Sequence, residues 1–182
     1  MGYNFIKHNK EMIAMDASGI SLCREVGFDD AMCIADWLED PEVRMHLNEM
    51  EGISETIREK AFNCRLPSYT PLFSSRGRFF VIRLDGNAIG YANLLQKGTA
   101  HEVVIVIGRK DLWGKGYGRN ALNRLLFHAF LDIRTEKVLA KIKSRNIRSL
   151  NLFKHIGFRE CQPGEETVCL TMDLSGFMKK AA

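Results

Sequence analysis

Three glycines alternate in Trp113-Gly114-Lys115-Gly116-Tyr117-Gly118-Arg119, just after a β-branched run from Val103 to Ile107. Glycines let a turn come close to a ligand. If a helix follows, its first amides have no helical acceptor and its dipole favours an anion. A helix does follow by pattern, because Leu122, Leu125, Leu126, Ala129 and Phe130 recur at helical spacing. Strand, glycine turn and helix together point to a phosphate-bearing ligand, and spacing narrows the choice. A Walker A loop needs four residues between its first glycine and Gly-Lys, then Ser or Thr. Here five residues lie between Gly108 and Gly114, and Gly116 follows Lys115. A dinucleotide fingerprint built on Gly116 would need glycine at 119, which is Arg119. Neither an ATPase nor a dehydrogenase loop fits.

Gly114-Lys115-Gly116-Tyr117-Gly118, after a strand and opening a helix, resembles the acyl-CoA pyrophosphate loop of the GCN5-related N-acetyltransferases, the GNAT family. Asn146-Ile147-Arg148-Ser149-Leu150, then Leu152-Phe153-Lys154 and Gly157-Phe158, is similar to that family's C-terminal CoA-binding segment. Asp36-Trp37 and Asp40-Pro41-Glu42-Val43-Arg44 resemble the N-terminal helices of the branch containing ribosomal-protein N-terminal and spermidine acetyltransferases. The likeness covers roughly Phe28 to Phe158. It implies a single-domain α/β fold, a mixed twisted sheet with helices on both faces.

The same resemblance implies site roles. Backbone groups of Ile105, Val106 and Ile107 would pair with the pantetheine arm as an added strand would. Amides from Trp113 through Gly118, Lys115 and Tyr117 included, would hold the pyrophosphate, with Arg119 and its helix behind. The family usually carries Arg or Gln at the position of Trp113, although tryptophan is common in the branch named. Asn146 would bond the pantetheine or serve as a helix cap. Ser149 and Phe153 belong to the CoA-binding segment, and Lys154 would screen phosphate. Acetyl-CoA is then a co-substrate, and no metal is implied.

The reaction implied is direct transfer of an acetyl group to an amine. An alkyl ammonium, with a pKa of about 10, must lose a proton before it attacks. Glu102, on the side of the strand shared with Val104 and Val106, is the expected base or an ordinary strand-end carboxylate. His101 points the other way and reads as a surface residue. An amide at Val106 or Ile107 would stabilise the oxyanion. Phe153 stands where the family often has a tyrosine that protonates the leaving thiolate. Three readings follow: the thiolate leaves unaided, another tyrosine such as Tyr91 substitutes, or the protein binds acyl-CoA with little turnover.

The elements that must position these groups are legible in order. Residues 1–18 read as a loose extension, and Ile20 to Val26 as a strand. Phe28-Asp29-Asp30 caps a helix that ends before Pro41, and Pro41 starts a second helix running to Met50. A third helix is expected from Ser54, as N-cap, to Asn63, with Ile57, Ala61 and Phe62 inward. Arg65 to Gly77 reads as a loop. Strands at Arg78–Leu84 and Ala88–Leu94 flank Asp85-Gly86-Asn87, a hairpin signal. Lys137–Lys143 is a strand, and Asn146–Ile156 a helix stopped by Gly157. Phe158–Cys161 and Thr167–Leu174 close the chain as a strand pair.

With 182 residues, 46% hydrophobic and 26% charged, the chain suits one soluble domain. No apolar run approaches a membrane span, and the polar N-terminus does not read as a signal peptide. Five scattered cysteines without a CxxC pair suggest buried thiols in a reducing cytoplasm. The net charge of +4 is modest but unevenly spread. Nine acids and one base lie between Asp29 and Glu55; eight bases and one acid lie between Arg134 and Arg159. These runs are solvated faces, or they meet a cationic acceptor and a polyanionic ligand respectively. The acceptor is then a polyamine or a protein amino terminus, with amino sugars a further choice, and Trp37 either lines its cleft or packs in the core. The basic third lacks the interleaved aromatics of a single-strand platform, which argues against nucleic acid. A homodimer is common for the fold, and no single feature of the sequence demands it.

Overall fold

The computed structural model describes residues 12–13, 19–47, 52–64, 66–162 and 164–181. In chain order the elements begin with β1 (Met12–Ile13), β2 (Ile20–Cys23), α1 (Phe28–Glu39), α2 (Pro41–Arg44), α3 (Ile53–Asn63) and α4 (Thr70–Phe73). The central meander follows as β3 (Gly77–Leu84), β4 (Asn87–Lys97) and β5 (Ala100–Ile107). After it come α5 (Tyr117–Phe127), β6 (Lys137–Lys143), α6 (Ile147–Ile156), β7 (Arg159–Gln162), β8 (Thr167–Asp173) and α7 (Leu174–Ala181). The eight strands form one mixed sheet in the order β1-β2-β3-β4-β5-β6-β8-β7.

Alternation along the central strands sorts the core onto two faces. On β3, Phe80 and Ile82 join one cluster while Phe79 and Val81 join the other. The first face is covered by α5 and α6, whose Leu122, Leu125 and Leu126 are fully buried with Phe153 beside them. The second is covered by α1 and α3 through Ile34, Leu38 and Ile57. Helices on both faces of a mixed sheet match the architecture expected. The β3–β4 hairpin turns at Asp85 and Gly86, whose φ values of 49° and 85° are the tight-turn geometry that a DG pair supplies.

One pairing differs from the rest. All neighbours are antiparallel except β5 and β6, which run parallel and pair only from Ala100 to Glu102 against Lys137 to Leu139. Beyond Glu102 both strands continue but separate, β5 staying with β4 and β6 with β8. The centre of the sheet is split.

Local details correct several expectations. The first strand stops at Cys23, because Val26 turns inward and its amide donates to Thr70 Oγ1 at 2.9 Å. That contact anchors α4, a short helix with Pro71 in its first turn, inside the stretch expected as loop. Gly52, at φ 75°, is the N-cap of α3, so Ser54 lies buried within the first turn, its hydroxyl donating to Glu55 at 2.9 Å. Phe62 is 63% exposed and meets Phe28 edge-on. The helix begun at Pro41 ends at Arg44; its expected continuation over 48–50 lies outside the described residues. The expected extension over 1–18 is likewise outside them, apart from β1. The helix α7 was not expected: Asp173 Oδ1 accepts the Gly176 amide at 2.7 Å and turns the chain after β8.

A close approach fixes α1 against the end of β5. A Cβ on Gly108 would lie 2.0 Å from the Trp37 ring. Gly108→Ala is therefore expected to displace that indole and lower stability by about 2 kcal/mol, checked by urea denaturation.

Candidate functional site

The split between β5 and β6 opens a cavity of about 440 Å³. Its walls are Val103 to Ile107 on one side, and Lys141, Ile142, Asn146, Ser149 and Phe153 on the other. Trp113, Gly114, Gly116, Tyr117, Gly118 and Arg119 close one end.

The backbone of β5 offers this cavity alternate residues. Gly108 donates its amide to Ile89 on β4 at 2.9 Å, so residues of even number face β4. Ile107, Ile105 and Val103 then turn their amides and carbonyls to the cavity side. Val106, expected to share that role, directs its backbone groups into the sheet. Trp113 uses one of the freed groups, its indole N–H donating to the Ile107 carbonyl at 2.7 Å. The Arg148 guanidinium lies over the same indole, 4.2 Å from the ring centre, and ties α6 to the end of β5.

The glycine turn presents the start of α5 to the cavity. Gly114 and Gly116 have φ of 79° and 86°, and a Cβ on either would meet nothing within 4 Å. Glycine is demanded by backbone geometry there, with open space left over. Gly116 is the N-cap of α5; Arg119 and Asn120 donate to its carbonyl at 3.0 and 3.1 Å. The Tyr117 and Gly118 amides precede that first helical bond, so the helix cannot satisfy them.

Residues 40–47 cross the cavity and are tied at both sides. Lys110 holds Asp40 and Glu42 at 2.8 and 2.9 Å. Lys143 donates to the Met45 and Leu47 carbonyls at 3.1 and 2.8 Å, and Arg145 to Met45 at 3.2 Å. The hydrogen bond from Lys110 holds the Asp40 carboxyl below its ordinary range. Glu42, Val43, His46 and Leu47 complete the cavity lining from this strap. Nδ1 of His46 is buried with no hydrogen-bond partner among the described residues. Burial first, then the charges of Arg145, Lys143 and Arg148, push its pKa below the usual histidine value.

Four expected site residues stand away from the cavity lining. Trp37 packs on Gly108 and the core of α1. Lys115 is exposed on the turn, and Lys154 pairs with Glu160 at 3.2 Å. The carboxylate of Glu102 lies behind the wall, 3.9 Å from Lys141 and 4.0 Å from Lys97. His101, expected at the surface, is partly buried and bonded to Thr135 Oγ1 at 2.9 Å. Burial and Arg78 lower its pKa. Tyr91 is core, stacked on Phe79. Phe153 does line the cavity, edge-on to Phe158. Asn146 also lines it, and its side chain caps α6 by accepting the Ser149 amide at 3.1 Å. Asn146→Ala is expected to cost about 1 kcal/mol of stability, read by urea denaturation.

The acid-rich run is largely satisfied internally. Arg83 holds Asp30, Arg58 holds Asp36 and Glu39, and Lys110 holds Asp40 and Glu42. Glu49 and Glu51 lie outside the described residues. Sequence reading missed His46, Arg148 and the strap, since only tertiary contacts bring them to the split. The one local hint was Asp40-Pro41, a capped helix start that turns the chain.

The family model described as an acetyltransferase (GNAT) domain matches residues 22–159. A spermidine N-acetyltransferase from Vibrio cholerae, solved with CoA and spermine, shares the fold with a TM-score of 0.72 at 20% identity, covering 88% of this chain and 99% of that one. The uncharacterized N-acetyltransferase p20 of Bacillus licheniformis is 21% identical over 141 residues, 75% of this chain and 78% of that protein. The uncharacterized protein MJ1062 of Methanocaldococcus jannaschii is 37% identical over 79 residues. That match covers 43% of this chain but spans only 16% of the relative's length.

Proposed function

Because this chain belongs to the GNAT family of acetyltransferases, we propose that it moves an acetyl group from acetyl-CoA directly to a primary amine, a polyamine or a protein amino terminus. The observation that carries this reading is the split between β5 and β6, where β6 leaves the cavity-side groups of β5 beyond Glu102, with the glycine turn and the start of α5 at its end. Acetyl-CoA fits those groups. Gly114 to Gly118 would hold its phosphates by their amides, because the Trp113 amide, expected to join them, is already donated to the Lys110 carbonyl at 3.0 Å; Arg119 and Arg148 would supply charge, while Ile105 and Ile107 would meet the pantetheine arm. The thioester supplies an activated acyl group with a leaving thiolate.

The chain's own residues would do the rest. Apolar Val103, Ile105 and Phe153 would exclude water from the acyl end, and of the two amides expected to stabilise the oxyanion, Val106 and Ile107, the cavity-side Ile107 would serve. With Phe153 on the wall, no phenol meets the departing sulfur there. A thiol pKa of about 8.5 lets the thiolate leave unaided. Phe153 also favours a second reading, an acyl-CoA-binding module with little turnover. Glu102, behind the wall, would act by positioning Lys141.

Polyamines come first among acceptors because a fold relative was solved with spermine. The ion-paired acids of α1 give less support to a cationic acceptor than their number suggested. Among the described residues no helix is long and apolar enough to cross a membrane; we place the enzyme in the cytoplasm on its unpaired cysteines. The test is thiol release from acetyl-CoA across polyamines, N-terminal peptides, amino sugars and aminoglycosides. Release with one amine class supports transfer and identifies the acceptor. CoA binding without release from any amine would establish the binding module instead.

A further inference from the structure

Resting on the transferase reading, we propose that His46 takes the proton of the acceptor amine through Nδ1. Few of the groups that line the cavity could accept a proton. Glu42 is held by Lys110 at 2.9 Å, and Tyr117 opens α5 at the glycine turn. Lys141, Arg119 and Arg148 carry charge and no lone pair, and His155 is exposed on the last turn of α6. His46 differs from all of them. It lines the cavity, and its Nδ1 is buried without a partner among the described residues. An orphaned buried acceptor is costly, and a donor arriving with the substrate would recover that cost.

The strap holds this nitrogen in place. Lys143 and Arg145 grip the carbonyls of Met45 and Leu47 on either side of His46, while Lys110 grips Asp40 and Glu42. The charged groups facing the ring are Lys143, Arg145 and Arg148 from the β6–α6 side, with Glu42 on its own element neutralised by Lys110. Burial first, then these cations, favour the neutral imidazole. They also make its protonated form a ready donor. As the C–N bond forms, the amine proton passes to Nδ1. The C–S bond breaks with its electron pair on sulfur, and the imidazolium returns the proton to that thiolate. Products leave as a neutral amide and a thiol.

His46→Gln keeps the polar bulk but accepts no proton in this pH range. Wild-type kcat/KM is expected to fall as pH drops below the ordinary histidine value of about 6.5. The variant should lose that acidic limb and about 100- to 1,000-fold in kcat, with CoA affinity by calorimetry unchanged. Independently of turnover, nitrogen NMR of His46 at pH 7 should show the neutral tautomer with its proton on Nε2 and none on Nδ1. An intact acidic limb in the variant overturns the proposal, as does a proton on Nδ1, or a loss of CoA affinity that accounts for the lost rate. So does loss of the limb in Glu102→Gln with His46 present. Those outcomes leave the transferase reading standing. Thiol release with no amine at all would remove both.

Discussion

Gly116→Asp is expected to weaken CoA binding by about 100-fold while leaving the protein folded. Gly116 is the N-cap of α5, so an aspartate there would turn its carboxylate toward the Gly118 amide at the second helical position. Capping offsets the strain of a side chain at φ 86°, where aspartate is among the better tolerated residues. The same carboxylate would occupy the glycine turn as a resident anion. Two like charges about 4 Å apart at a partly screened site repel by roughly 4 kcal/mol, and two-thirds of that is about 100-fold in affinity. Calorimetry with CoA and a urea melt, run on one preparation, separate the two effects. Unchanged affinity would mean that the phosphates lie elsewhere.

Asp30→Ala is expected to cost about 3 kcal/mol in urea denaturation. The Asp30 side chain is 8% exposed and both its oxygens accept from Arg83, at 2.9 and 2.7 Å. Its Oδ2 also accepts the Gly27 amide at 2.9 Å, starting α1. The substitution strands Arg83 and uncaps the helix, so α1 loosens from β3. Arg83 keeps 25% exposure, which sets the cost at the lower end for a broken buried pair. Asp36→Ala is the control. Asp36 is 63% exposed against Arg58, and its loss should stay within about 0.5 kcal/mol. Equal effects would place the stability of α1 in its apolar face alone.

What the sequence made legible was carried by neighbours in the chain. The alternation of Gly114, Gly116 and Gly118, the stripe from Leu122 to Phe130 and the Asp85-Gly86 turn each act within a few residues, and each fell where expected. Errors came where distant contacts decide. Thr70 makes a helix of an expected loop because Val26 reaches it from 44 residues away. Phe62 shows the helical spacing of a buried residue yet lies exposed beside Phe28. Charge counting over Asp29 to Glu55 could not show that Arg58, Arg83 and Lys110 already neutralise much of it. Glu102 follows the right alternation, but Lys97 and Lys141 hold it behind the wall. His46 had no local signal, since its meaning comes from what the strap crosses.

Whether the split between β5 and β6 is the acyl-CoA seat is read most directly, residue by residue, by amide NMR during a CoA titration. Saturable shifts are expected at Ile105, Ile107 and Gly114 through Gly118, with Val106 moving less because its amide faces β4. Shifts confined to other elements, or none at concentrations that saturate a CoA-binding enzyme, would contradict that seat.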